Sequence, residues 1–152
     1  MPEYDIWNFT ETNENICEKL IDDIVMKKRD ENGTFLLDLT KEKYSLLEKH
    51  VYDISTFHIE RLRKKDIHIN HVEFWCKRIN RLHGFHVDCD EELKNKNGEF
   101  VHPELASVTY LNNSDTPTLL TTIDPENYMY KTYNNADTDM SIIFPRKNKT
   151  PT

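Results

Sequence analysis

The triplet His86-Val87-Asp88 carries the residue types and spacing best suited to chemistry in this chain. On an extended strand, residues i and i+2 project from one face, so an imidazole and a carboxylate would reach the same point in space. Both are ligands for a divalent transition metal. With a second histidine arriving from elsewhere they make the 2-His-1-carboxylate arrangement, which leaves positions on an Fe(II) ion open to co-substrate and oxygen. The last histidine in the chain is His102. It lies between Gly98 and Pro103 and is read as a solvent-facing loop residue, a swing inward as third ligand being the alternative. His50, His58, His68, His71 and His83 precede the motif and are read as surface or core residues, with His83 on the strand face opposite His86. Asp90 and Glu91 come directly after the motif and are read as exposed turn acids, orientation of His86 being the alternative.

The elements that must position these groups change character along the chain. Over residues 13–29, Ile16, Leu20, Ile21, Ile24 and Val25 recur at helical spacing, and Asn32-Gly33 provides a stop. A second helix is expected after Asp38-Leu39-Thr40, with Thr40 as its cap, Glu42 and Lys43 in its first turn, and fraying near Lys64. Its apolar side carries Leu46, Leu47, Val51, Ile54, Phe57, Ile59 and Leu62. From Asp66 onward the pattern is β. Residues 67–79 alternate apolar and polar over much of their length, residues 105–111 are β-branched and aromatic, residues 116–123 are rich in Thr and Leu, and residues 141–145 form a last short strand. Turns fall at 95–98 and 112–115, and a long polar loop covers 124–139. The expected fold is α+β, with N-terminal helices (1–65) packed on an antiparallel sheet core (66–152) in one domain.

Composition narrows the function classes. The chain has 152 residues and a formal net charge of -7, which argues against a nucleic-acid footprint, because phosphate binding wants clustered Lys and Arg. The one basic run, Arg61-Leu62-Arg63-Lys64-Lys65, reads as the solvated end of a helix whose dipole favours cations there. No apolar stretch resembles a signal peptide or a membrane span, so an intracellular or cytoplasmic protein is expected, not a secreted one. Cys17, Cys76 and Cys89 are odd in number and lack CxxC spacing, which fits reduced thiols. The glycosylation-type triplets at Asn8, Asn32, Asn113 and Asn148 then carry no weight. An Asn-, Asp-, Lys- and Ile-rich composition is of the kind found in AT-rich genomes, those of large viruses among them.

The order of segments from Trp75 to Phe144 carries a resemblance. The strand ending in Arg81-Leu82-His83-Gly84-Phe85, the motif His86-Val87-Asp88-Cys89-Asp90-Glu91, the segment Pro103-Glu104-Leu105-Ala106-Ser107-Val108-Thr109-Tyr110-Leu111, then Thr116-Pro117-Thr118 and Ile142-Ile143-Phe144-Pro145 together resemble the 2-oxoglutarate- and Fe(II)-dependent dioxygenase superfamily, closest to its prolyl-4-hydroxylase-like members. The resemblance covers roughly half of the chain. It implies an incomplete antiparallel double-stranded β-helix, a jelly-roll-like core, with His86 and Asp88 as metal ligands. It also implies Fe(II) as cofactor, 2-oxoglutarate as co-substrate, and Tyr110 and Thr118 in the co-substrate pocket, with no catalytic residue beyond the metal ligands. Two departures stand out. The Gly-Gly turn of the family is here Asp115-Thr116, and only Arg146 to Thr152 come after the Phe144-Pro145 pair. The distal histidine and the basic residue that pairs with the co-substrate are therefore expected beyond Thr152.

Two readings emerge. The first is a hydroxylase-type dioxygenase domain, completed by further sequence or by another chain, acting on a peptide side chain or a small molecule, with Tyr128, Tyr130 and Tyr133 either lining its entrance or merely covering the sheet. The second is a non-catalytic fragment or protein-interaction module without metal dependence. Both leave an open sheet edge that would favour oligomerisation.

Overall fold

The computed structural model describes residues 6–8, 14–26, 34–76, 84, 86–121, 139–146 and 149–151. Within them the chain forms three helices and three two-stranded antiparallel pairs, an α+β architecture. The elements group into two compact units. One is Asn13–His83; the other combines Met1–Thr12 with Gly84–Thr152. Among the described residues no helix is long and apolar enough to cross a membrane.

In the first unit, helix α1 (Glu14–Met26) buries Cys17 and Leu20 and leaves Ile21 and Val25 exposed. The apolar stripe is thus narrower than its periodicity predicts. Helix α2 (Leu46–Arg63) starts later than expected, at an N-cap on Ser45. The Ser45 hydroxyl accepts from the Glu48 N–H at 3.2 Å, and the Glu48 carboxylate accepts from the Ser45 N–H at 2.9 Å. This is a reciprocal capping box. Thr40, the expected cap, is engaged elsewhere: its N–H and its hydroxyl donate to Asp38 Oδ1 at 2.9 and 2.7 Å. An aspartate two residues back offers a local acceptor that closes a turn before any helix begins. Those two bonds also hold the Asp38 carboxyl below its usual pKa, the Thr40 hydroxyl acting most strongly.

Helix α2 ends as its composition suggests, with Arg61 and Arg63 in the last turn and Lys64 as C-cap. Asp66 then takes a left-handed conformation (φ 62°), and the Ile67 N–H reaches back to the Leu62 carbonyl at 3.1 Å. Two short strands complete this unit. Strand β2 (Phe35–Leu36) pairs with β3 (Glu73–Phe74), setting Phe35 opposite Phe74 with ring centroids 5.4 Å apart. A further bond from the Leu37 N–H to the Val72 carbonyl, at 2.9 Å, extends the pairing. Over the described part of the predicted 67–79 strand, only Glu73–Phe74 forms a ladder, because the partner segment offers two paired residues; residues 77–79 lie outside the described residues.

The second unit holds helix α3 (Glu91–Asn97), strand β4 (Thr118–Thr121), strand β5 (Met140–Ile143), and the pair formed by β1 (Ile6–Asn8) and β6 (Lys149–Pro151). Strands β4 and β5 largely coincide with the two segments predicted as strands. Helix α3 is an element that periodicity does not predict. The strand expected over 105–111 is irregular through Thr109, with a single bridge at Tyr110. In the β4–β5 register Thr118 faces Ile143 and Leu119 faces Ile142. Ile143 is buried, whereas Leu119, Met140, Ile142 and Phe144 are exposed. The outward face of this ribbon is therefore the more apolar one.

Candidate functional site

Residues 86–90 are not a strand, contrary to the expectation for the motif. The two side chains nevertheless converge: His86 Nε2 stands 3.5 Å from Asp88 Oδ1, with both residues partly open to solvent. Two metal–ligand bonds of about 2.1 Å meeting at about 90–110° would set their donor atoms about 3.0–3.4 Å apart. The pair is close to that separation. The other ring nitrogen of His86, Nδ1, lies 3.0 Å from the Gly84 carbonyl. A carbonyl oxygen only accepts, so Nδ1 donates to it, and the opposite ring nitrogen, Nε2, is left facing Asp88. Metal-binding imidazoles are commonly oriented in this way.

The backbone beyond Asp88 is tied down at several points. The Asp90 N–H donates to the Val101 carbonyl at 2.8 Å, and the Asp90 carboxylate caps α3 by accepting from the Leu93 N–H at 2.9 Å. Glu91 is tied to Lys94 at 3.1 Å. These acids therefore serve α3, where turn acids were expected. Cys89 Sγ lies 3.9 Å from Glu91 Oε1, and burial, foremost, raises its thiol pKa. Helix α3 closes at Gly98 in the left-handed conformation (φ 69°), its N–H bonded to the Lys94 carbonyl at 2.9 Å. The excursion then returns to its start. His102 Nδ1 lies 2.9 Å from the carbonyl oxygen of Asp88, so this exposed loop histidine is bonded to the motif itself.

Tyr110 and Thr118, the two residues assigned to a co-substrate pocket, are in direct contact. The Tyr110 hydroxyl donates to Thr118 Oγ1 at 2.7 Å. Tyr110 is 7% exposed, and burial is the main cause of its raised pKa, with the bond to Thr118 acting in the opposite sense. The neutral phenol is thus held as a donor. Thr118 Oγ1 accepts that bond, which leaves its own O–H able to donate elsewhere. Tyr128, Tyr130, Tyr133 and His83 lie outside the described residues.

As a donor set, His86 and Asp88 fit two of the three protein ligands that an Fe(II) ion of the 2-His-1-carboxylate kind requires. Among the described residues, no three His, Cys, Asp or Glu side chains stand close enough together to share an ion as placed. No protein-family model, no characterised protein and no solved structure shows a significant match to this chain.

Proposed function

We propose that the second unit is a metal-dependent oxygenase domain of the 2-oxoglutarate/Fe(II) hydroxylase type, centred on His86 and Asp88. The observation that carries this reading is the 3.5 Å approach of His86 Nε2 to Asp88 Oδ1, with the opposite ring nitrogen anchored on the Gly84 carbonyl. That orientation sets Nε2 beside the Asp88 carboxylate, as two ligands of one ion would need to be. The finer fold that goes with this reading is an incomplete double-stranded β-helix, to which the β4–β5 ribbon would belong. Fe(II) held here would supply oxygen activation coupled to oxidation of 2-oxoglutarate.

The chain's own residues would do the positioning. Gly84 anchors His86 Nδ1 through its carbonyl, and Asp88 supplies a carboxylate oxygen beside Nε2. Tyr110 and Thr118 offer a linked pair of hydroxyls, ending in a Thr118 O–H suited to a carboxylate oxygen. The substrate class favoured by the acidic chain is a peptide side chain or a small molecule. The test is Fe(II) binding by calorimetry under anaerobic conditions, together with 2-oxoglutarate-dependent release of succinate. Both should be lost in His86→Ala, and turnover unaffected by that change would sink the proposal.

A second reading, a non-catalytic interaction module, is favoured by a different observation: the exposed apolar row of Leu119, Met140, Ile142 and Phe144 on the β4–β5 ribbon. It expects no metal dependence, and association that weakens when Ile142 is changed to Thr.

A further inference from the structure

We infer that Asn97 and Gly98 form a self-modifying site, at which the Asn97 side-chain amide converts spontaneously to an acid with loss of ammonia, and that the opening of α3 sets the pace of the change. It stands independently of any metal at His86 and Asp88. Gly98 is the reacting partner. Having no Cβ, it lets its main-chain nitrogen approach the preceding side chain more closely than any other residue would. Both residues are exposed, and nothing lies within 4 Å of the point where a Cβ on Gly98 would stand. A ring can therefore close there without displacing a neighbour. Asn95 shares the helix and the exposure but precedes Lys96, whose side chain hinders the same attack.

The helix holds the reaction back only weakly. While α3 is closed, the Gly98 N–H is committed to the Lys94 carbonyl at 2.9 Å. Yet α3 has 7 residues and buries none of them, a helix this short is marginal, and its end turns open at little cost. Once the last turn opens, the Gly98 nitrogen gives its proton to water and attacks Cγ of Asn97. The new N–Cγ bond forms as the Cγ–Nδ2 bond breaks, ammonia leaves, and a five-membered imide closes. Water then adds to one of the two imide carbonyls. Breaking the N–Cγ bond leaves an aspartate at position 97; breaking the bond to the former main-chain carbonyl leaves an isoaspartate, with an extra methylene in the backbone. Water enters, ammonia departs, and nothing is oxidised or reduced. Either product sets a carboxylate at the C-terminal end of α3, where the helix dipole disfavours it. The lengthened backbone also undoes the left-handed closure at Gly98. Val101 and His102, which bond back to Asp90 and Asp88, lie just beyond, so the change loosens the loop that returns to the motif.

The experiment is prolonged incubation of the full chain in heavy-oxygen water at neutral pH, native and unfolded in guanidinium chloride, followed by peptide mapping with mass spectrometry. Mapping is needed because Asn32-Gly33 is the same dipeptide. The expected result is uptake of one heavy oxygen at residue 97, slower in the native chain than in the unfolded one but by no more than about tenfold. Asn97→Gln should abolish the uptake at that position, since the ring it would need is larger. Asp90→Ala removes the cap at the other end of α3 and should speed the native reaction by about 2–5-fold. A native rate at residue 97 more than about tenfold below the unfolded rate, or no faster than that at Asn95, overturns the site. A native rate equal to the unfolded one, or unchanged by Asp90→Ala, overturns the control by α3.

Discussion

The Asp23 carboxylate of α1 accepts a hydrogen bond at 2.8 Å from the backbone N–H of Leu47, in the first turn of α2. A helix N-terminus leaves its first N–H groups without intrahelical partners, and a negative charge there also suits the helix dipole. Ser45 and Glu48 satisfy two donors at this end locally. Asp23 supplies another acceptor from a different helix, so the cap is also a tertiary contact that sets the register of α1 on α2.

Replacing Asp23 should reveal how much of that packing the bond sustains. Asp23→Ala is expected to lower unfolding stability by about 1–2 kcal/mol. Asp23→Asn keeps an acceptor and loses the charge, so a smaller loss of about 0.5 kcal/mol is expected. Urea midpoints, at unchanged slope, measure both.

Gly98 isolates a backbone effect. An added Cβ would meet nothing within 4 Å, yet φ is +69°. Gly98→Ala should therefore cost about 1–2 kcal/mol from conformation alone, with Gly98→Asn less damaging. Denaturation of the two variants, compared with the unchanged chain, tests the order.

For Tyr110, loss of the hydroxyl in Tyr110→Phe should destabilise by about 0.5–1.5 kcal/mol, because Thr118 loses its donor. The pH dependence has a definite sign. Burial raises the phenol pKa above 10.0 in the folded chain, so the unfolded chain releases its proton first as pH climbs. Stability then falls as pH rises beyond about 10. Tyr110→Phe should lessen that alkaline fall, as read from urea midpoints at about pH 8 and above about pH 10.

His50 gives the opposite test. Burial, partly opposed by Asp53, lowers its pKa from 6.5 in the folded chain. On acidification the unfolded chain therefore takes up the proton first, and stability declines as pH drops below about 6.5. His50→Gln should flatten the decline between neutral pH and about pH 5; an unchanged slope would refute it.

How far the sequence reveals each element depends on the kind of signal that element carries. Helix α1 and the body of α2 are legible because their apolar residues repeat with a helical period. The start of α2 is misread because Thr40 has the type of a cap, whereas Asp38 competes for it. Helix α3 is hidden because it has a single apolar residue, Leu93, and no periodicity. Its terminal signals are nonetheless in place: Asp90 to cap, Glu91 and Glu92 in the first turn, Lys94 and Lys96 in the last, and Gly98 beyond. Strand geometry predicts the closeness of His86 and Asp88, but irregular backbone achieves it. The return of His102 to Asp88 depends on α3 and is hidden with it. The segments 67–79 and 105–111 have strand-forming residue types, but alternation cannot say whether a partner strand exists.

The pairing of Ile6–Asn8 with Lys149–Pro151 has a consequence for biosynthesis. The Asn13–His83 unit has all its residues in hand before the other is half made, and it can begin to fold while the ribosome is still at work. The second unit must wait until Lys149–Pro151 has emerged, because one of its ladders joins an early segment to a late one. Until then Ile6–Asn8 stays without its partner strand, so this ladder, with the longest sequence separation of the three, closes after the local ones can form.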